Sequence, residues 1–235
     1  MIRLWGRISS INVRKAVWAL QEVGVPFERI DAGRQYGIVD TPGYGARNPN
    51  RLVPLLEDDG FELWESNAIV RYLCAKYGAP TLPAARGSLP PEGAGLAWGG
   101  PARRPASPDA LYPRDLRRRF DAERWMDWQQ TTLNRAGSPA FVQWIRTPFA
   151  QRRPDVIEAS RSAMAPLIAI LDAHLAGREW MGGEDFSMAD IPVACDIHRW
   201  WRLPQPAPQA PHVQRWLDAI LARPATRGVL DLPLA

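Results

Sequence analysis

The chain has 235 residues, 46% of them hydrophobic and 23% charged, with a formal net charge of +4. That composition is ordinary for a folded globular protein, and no apolar run is long enough to cross a bilayer. Met1–Arg7 reads as one short apolar strand rather than a basic region leading a signal core, so a cytoplasmic protein with no membrane partner is expected. The positive excess is local: between Arg86 and Arg119 seven arginines face three acidic residues, in and just after a proline-rich stretch. A nucleic-acid footprint would be a basic stripe across a folded face, so nucleic acid is not an expected partner.

Residues 2 to 5 read as a first strand. Val13 to Val23 reads as a helix, since Val13, Ala16, Val17, Leu20 and Val23 recur at helical spacing; Gly24 is its stop. Pro26 to Ile30 alternates like a second strand. Gln35 to Asn50 is rich in Gly, Pro, Asp and Asn and reads as loop with a short helical turn. Val53 to Leu56 and Glu62 to Trp64 form a hairpin around Asp59-Gly60. Ser66 to Tyr77 is a helix. Residues 80 to 110, dense in proline and glycine, break every period and read as a mobile linker or insertion. Beyond them, Arg114 to Arg135 is a long amphipathic helix with Phe120, Trp125, Trp128 and Leu133 as its apolar positions. Asp155 to Leu175, Ser187 to Trp201 and His212 to Ala222 are further helices. The order βαβ then ββα is the topology of a thioredoxin-like fold. The expected architecture is therefore an α+β thioredoxin-like domain over residues 1–79, the linker over 80–110, and an all-α helical-bundle domain over 111–235.

Three short segments can carry chemistry. Ser9-Ser10-Ile11-Asn12-Val13-Arg14 follows the first strand and opens the first helix. A helix N-terminus favours an anion, and a hydroxyl or amide there adds a donor, although such a serine is equally suited to capping. Arg14 reads as an exposed helical residue. Val53-Pro54 begins the third strand; only about 5–6% of X–Pro bonds in folded proteins are cis, so the residues alone leave that isomer open. Glu65-Ser66 opens the third helix with Ser66 as its cap. Position 69 holds Ile, not the Glu or Gln of a self-contained capping box, which leaves the pair free for a ligand. Cys74 and Cys195 form no CxxC and sit on apolar helical faces as buried, inert thiols. His174, His198 and His212 have no metal spacing, and no metal is expected.

The run Leu52-Val53-Pro54-Leu55-Leu56 followed by Leu63-Trp64-Glu65-Ser66-Asn67 resembles the glutathione site of the glutathione transferase family. Ser9-Ser10 resembles its serine-type, theta- and phi-like members. The resemblance implies glutathione as co-substrate, a cis bond at Pro54, and pairing of the Val53 backbone with the cysteine of the tripeptide. It implies that Glu65 and Ser66 take the γ-glutamyl end. Ser10 would hold the thiolate, with Ser9 its nearest rival and Asn12 a substitute donor. Asn48-Pro49-Asn50 is usually followed by glycine in the family and here by Arg51, which stands near the site rim with Gln35 and Tyr36 as candidates for the glycine end. Trp125 and Trp128 are candidates for the pocket of an apolar electrophile. Phe186-Ser187-Met188-Ala189-Asp190 resembles a family motif in which Ser187 caps a core helix and Asp190 reaches back. A homodimer is implied as well. The competing reading is a non-catalytic binding or interaction protein on the same scaffold, with the arginine-rich insertion as a docking arm and Arg51 partly obstructing the site.

Overall fold

The computed structural model describes residues 1–78 and 109–235; nearly all of the expected linker lies outside the described residues. Four strands, β1 (Ile2–Trp5), β2 (Phe27–Ile30), β3 (Leu55–Asp58) and β4 (Phe61–Trp64), form one sheet in the order β2-β1-β3-β4. β1 runs parallel to β2 and antiparallel to β3, and β3 runs antiparallel to β4. Alternation fixes this register. Ile2 and Leu4 are buried, whereas Arg3 lies directly opposite Glu28 on one side and Glu57 on the other and pairs with both. The β3–β4 turn has positive φ at both Asp59 (50°) and Gly60 (84°), the type I′ geometry that suits the twist of a hairpin.

Three helices complete the first half: α1 (Ile11–Val23), α2 (Pro42–Arg47) and α3 (Ser66–Tyr77). α1 starts two residues before the apolar period begins, and ends where Gly24 takes φ 68°. The third strand begins at Leu55 instead of Val53. Ser66 is the first residue of α3 and Glu65 stands at its cap with φ 71°, so Ser66 is not the cap the sequence suggests. The thioredoxin-like βαβ-ββα half is thus present.

The second half is helical: α4 (Leu116–Trp128), α5 (Asn134–Phe141), α6 (Pro154–Leu175), α7 (Asp190–Trp201) and α8 (Pro211–Leu221). The helix expected to end at Arg135 continues to Arg146. Five π-helical residues, Gln129–Leu133, join α4 to α5, and five more, Val142–Arg146, follow it. Pro139 lies inside α5 without ending it. Phe120 is 63% exposed and lies outside the core expected of it.

α7 is buried on every side from Asp190 to Trp200. Its entry is held by Asp190, whose carboxylate accepts from Met181 N at 2.8 Å, Ser187 N at 2.8 Å, Ser187 Oγ at 3.2 Å and Trp216 Nε1 at 2.8 Å. Asp190 does reach back as expected; Ser187 sits before the helix cap, Ala189, and accepts from its N–H at 3.4 Å. Burial raises the Asp190 carboxyl to about 6. Burial also pushes both thiols up, Cys195 to about 12, and both cysteines are free and buried. Among the described residues no helix is long and apolar enough to cross a membrane.

Candidate functional site

The site is built around the start of α1, where the chain leaves the sheet. Gly6, with φ 152°, allows the close approach this needs: a Cβ there would stand 2.5 Å from Val13 Cγ2 and 3.2 Å from Val53 Cβ. Ser10 is the N-cap residue of α1 in extended conformation, is 8% exposed, and makes no capping hydrogen bond. Its hydroxyl is therefore not spent on the helix end it stands beside. Ser9, Ser10 and Asn12 all line a cavity of about 240 Å³ between the two halves.

Asn12 links this cavity to the third helix. Its Oδ1 accepts from Ser66 Oγ at 3.3 Å, and Ser66 is buried while Glu65 beside it is exposed. The first N–H groups of α3 have no partners within their own helix, as at any helix start. Glu65 holds φ 71° and ψ 110°, a conformation that costs of order 1–3 kcal/mol for a non-glycine residue and recurs where ligands are gripped. The Val53–Pro54 bond is cis, as the resemblance implies. Among the described residues no backbone partner takes up the Val53 N–H or C=O, which leaves an edge open to an extended peptide.

Arg51, Tyr36, Trp125 and Trp128 are, like Val53, Pro54, Glu65 and Ser66, absent from the lining of this cavity. Arg51 has φ 53°, which is why glycine suits that position. Its Nη1 donates to Val39 O at 3.3 Å and Thr41 O at 3.2 Å, so its guanidinium is tied to the loop before α2 and does not line the cavity. Tyr36 lies in an exposed 3₁₀ turn, Arg34–Tyr36, with Gln35. Trp125 and Trp128 do not line the cavity either. They pack edge to face at 5.2 Å, and Trp125 also lies 4.3 Å from the His174 ring.

The far wall comes from residues sequence reasoning passed over: Asn134, Ser138, Phe141, Arg146, His198 and Arg199. Arg14, expected to be exposed, is 6% exposed. Its guanidinium donates to Ile8 O at 3.0 Å, Leu232 O at 3.5 Å and Pro233 O at 2.6 Å, which ties the final residues against α1. Behind the cavity runs a buried polar chain. Lys15, wholly buried, donates to Asn67 Oδ1 at 3.3 Å, Gln129 Oε1 at 3.0 Å and Gln130 Oε1 at 3.2 Å. Gln129 Nε2 donates to Asp196 Oδ2, and Arg199 pairs with Asp196 Oδ1 at 2.6 Å. Arg199 also donates to Asn134 Oδ1 at 3.0 Å and Ser138 Oγ at 3.3 Å. The signal for this chain was Asp196 and Arg199 at i,i+3 in α7, whose residues are mostly apolar. Burial, reinforced by Arg202 and Arg14, lowers His198 to about 4, so it is neutral at pH 7.

The family model for the glutathione S-transferase N-terminal domain matches residues 1–75, and that for the C-terminal domain matches residues 154–219. Over its whole length the chain is 38% identical to the glutathione S-transferase GstB of Escherichia coli strain K12, with 100% of each covered. The chain belongs to the glutathione S-transferase family. Among solved glutathione S-transferases, the theta class protein of Xanthomonas axonopodis pv. citri with glutathione bound is 36% identical, with a TM-score of 0.84 over 100% of this chain and 99% of that one. Glutathione S-transferase 3 of Zea mays is 29% identical over 99% of this chain and 95% of its own length. The thioredoxin-like and helical halves are the two halves of the family's fold, and the cavity lies between them.

Proposed function

We infer that this protein is a glutathione transferase that adds the thiolate of glutathione to an electrophilic carbon of a small molecule. The observation that carries the reading is Ser10: a hydroxyl at a helix N-terminus, facing a cavity, with no capping bond to make. A free thiol has a pKa of about 8.5. The dipole and N–H groups of a helix start lower it, and a hydroxyl donor adds to that. In this reading Ser10 holds the sulfur, with Asn12 and Ser9 beside it. Val53 offers its free backbone groups to the cysteine of the tripeptide. Glu65 takes the γ-glutamyl ammonium through a charge-assisted contact, and Ser66 with the first N–H groups of α3 takes the adjoining carboxylate.

The open Val53 edge and the strained Glu65 support a ligand site over an inert scaffold. The attachment of Arg51 to Val39 and Thr41 removes the obstruction on which a non-catalytic reading leaned. A cytoplasmic homodimer that consumes toxic electrophiles, with domain boundaries at residues 1–79 and 111–235, completes the proposal. The test is steady-state kinetics of Ser10→Ala with 1-chloro-2,4-dinitrobenzene as electrophile. Turnover should fall by about 10²-fold, the usual loss for one donor aimed at developing charge, while KM for glutathione moves far less. Equal turnover in the two proteins would sink the assignment.

A further inference from the structure

Of the two lysines in the chain, Lys76 is exposed and Lys15 lies wholly inside the protein, where α1 meets α3 and the π-helical residues Gln129–Leu133. Its three hydrogen-bond partners are all side-chain amide oxygens, of Asn67, Gln129 and Gln130, and no carboxylate is among them. A buried cation held this way costs stability, and an apolar side chain of similar volume would avoid that cost. One acid fixes how the amides point, because a carboxylate can only accept. Asp196 takes Gln129 Nε2, which turns Gln129 Oε1 towards Lys15 and Asn67. Asn67 must then give its Nδ2 to that oxygen at 3.0 Å and to Met126 O at 2.8 Å. Its Oδ1 is left for Lys15 at 3.3 Å. A neutral amine has only two protons, so three facing oxygens call for the ammonium form.

Asn67 stands in the first turn of α3, next to Ser66 and two residues after Glu65. Glu65 keeps its positive φ there, and such strain persists only where the surroundings over-determine it. Three ties do so. Ile69 N donates to Glu65 O at 2.9 Å, Ser66 Oγ donates to Asn12 Oδ1 at 3.3 Å, and the buried Asn67 amide is bound at both its oxygen and its nitrogen. The last of these ties ends on a charge. Burial lowers the Lys15 pKa against the field of Asp196, and Glu65 acts in the same sense as Asp196. Lys15 and Glu65 thus feel each other across the start of α3.

We propose that Lys15 is a positioning residue for the γ-glutamyl end of glutathione: by holding Asn67 from inside the protein, it fixes the Glu65-Ser66 corner in the shape that takes that end. The inference rests on the transferase reading for its ligand. Lys15 touches neither the tripeptide nor the reacting sulfur, and it acts on binding through Asn67 alone. Its loss frees the Asn67 side chain, lets Glu65 relax from its positive φ, and draws the carboxylate away from the ammonium it pairs with. That is a loss of uniform binding, which raises KM and spares kcat. Ser10→Ala has the opposite signature.

The test is a double-mutant cycle on the calorimetric Kd of S-hexylglutathione, in the native protein, Lys15→Met, Glu65→Gln and the double variant, with a urea midpoint for each. Lys15→Met should weaken binding by about tenfold, the value of one charged hydrogen bond. Glu65→Gln should then cost clearly less in the Lys15→Met protein than in the native one. Kinetics with 1-chloro-2,4-dinitrobenzene should show the Lys15→Met loss in KM for glutathione, with kcat at saturation within about twofold of native. Lys15→Gln keeps a donor for Asn67 Oδ1 and should retain part of the affinity; it carries the same cycle if Lys15→Met does not fold. Native affinity in a destabilised Lys15 variant would make the lysine purely structural and overturn the inference. So would losses that simply multiply in the double variant, because Lys15 would then act independently of Glu65. A native protein that does not bind S-hexylglutathione at all would refute the transferase reading, and this inference would fall with it.

Discussion

Ser10 and Asp115 occupy the same position at the starts of two helices and do different things there. Asp115 accepts from Arg118 N at 2.9 Å and closes its helix, whereas Ser10 makes no such bond. Removing a working cap costs about 1 kcal/mol. Asp115→Ala should therefore lower stability by roughly that amount in a urea titration, while Ser10→Ala should stay within ~0.5 kcal/mol of the native protein. A large loss in Ser10→Ala would mean that the serine is structural after all. The same contrast separates Glu65 from an ordinary surface glutamate: it is exposed, yet it holds a positive φ at a helix start.

At the scale of elements, α7 is the helix around which the second half packs, and it carries Asp190, Cys195, Asp196, His198 and Arg199 inside the protein. His198 keeps its neutral form far below the ordinary 6.5 because it is buried beside Arg202 and Arg14. Between pH 6.5 and about 4 the unfolded chain binds this proton and the folded one does not. Stability therefore falls as pH drops through that window, by up to ~1.4 kcal/mol per unit. Asp190, raised to about 6, binds its proton more readily when folded and acts in the opposite direction over the lower part of the window. His198→Phe keeps the Asp190 contribution and removes the other, so its stability should decline less on acidification, as followed by urea midpoints between pH 7 and 4.5. Parallel declines in the two proteins would show that His198 titrates normally.

These elements also mark how far the sequence could be read. The sheet half was legible because its period changes cleanly from two to 3.6, and because Gly24 and Asp59-Gly60 sit where φ must be positive. The Ser10, Val53 and Glu65-Ser66 segments stand out in the sequence because each adjoins such a change, and the structure adds the cis bond at Val53–Pro54 and the absent cap bond at Ser10. The far wall was not legible. A proline inside a helix removes a backbone donor, yet the helix passes through Pro139 to Arg146, one of the four arginines that line the cavity. Arg14 was misread because its partners are carbonyl oxygens of Leu232 and Pro233, which leave no mark in side-chain patterns. Trp125 and Trp128 pack against each other, and Trp125 against His174, as aromatic residues at helical spacing serve the core as readily as a pocket.

Over the whole molecule, the cavity lies where both halves meet. The sheet half lines the cavity with Ser9, Ser10 and Asn12, and the helical half with Phe141, Arg146, His198 and Arg199. The chain from Lys15 through Gln129 to Asp196 and Arg199 crosses that boundary inside the protein and ties the first helix to the seventh. A thiolate held at Ser10 would thus face a cationic wall fixed in place by buried hydrogen bonds. The most direct test is an ultraviolet difference titration of bound glutathione from pH 5 to 9, in the native protein and in Ser10→Ala. The account predicts thiolate absorbance already present near neutral pH in the native protein, with a midpoint below the free-thiol value of about 8.5, and a return towards that value in the variant. The same midpoint in both proteins, with glutathione bound to each, would contradict it.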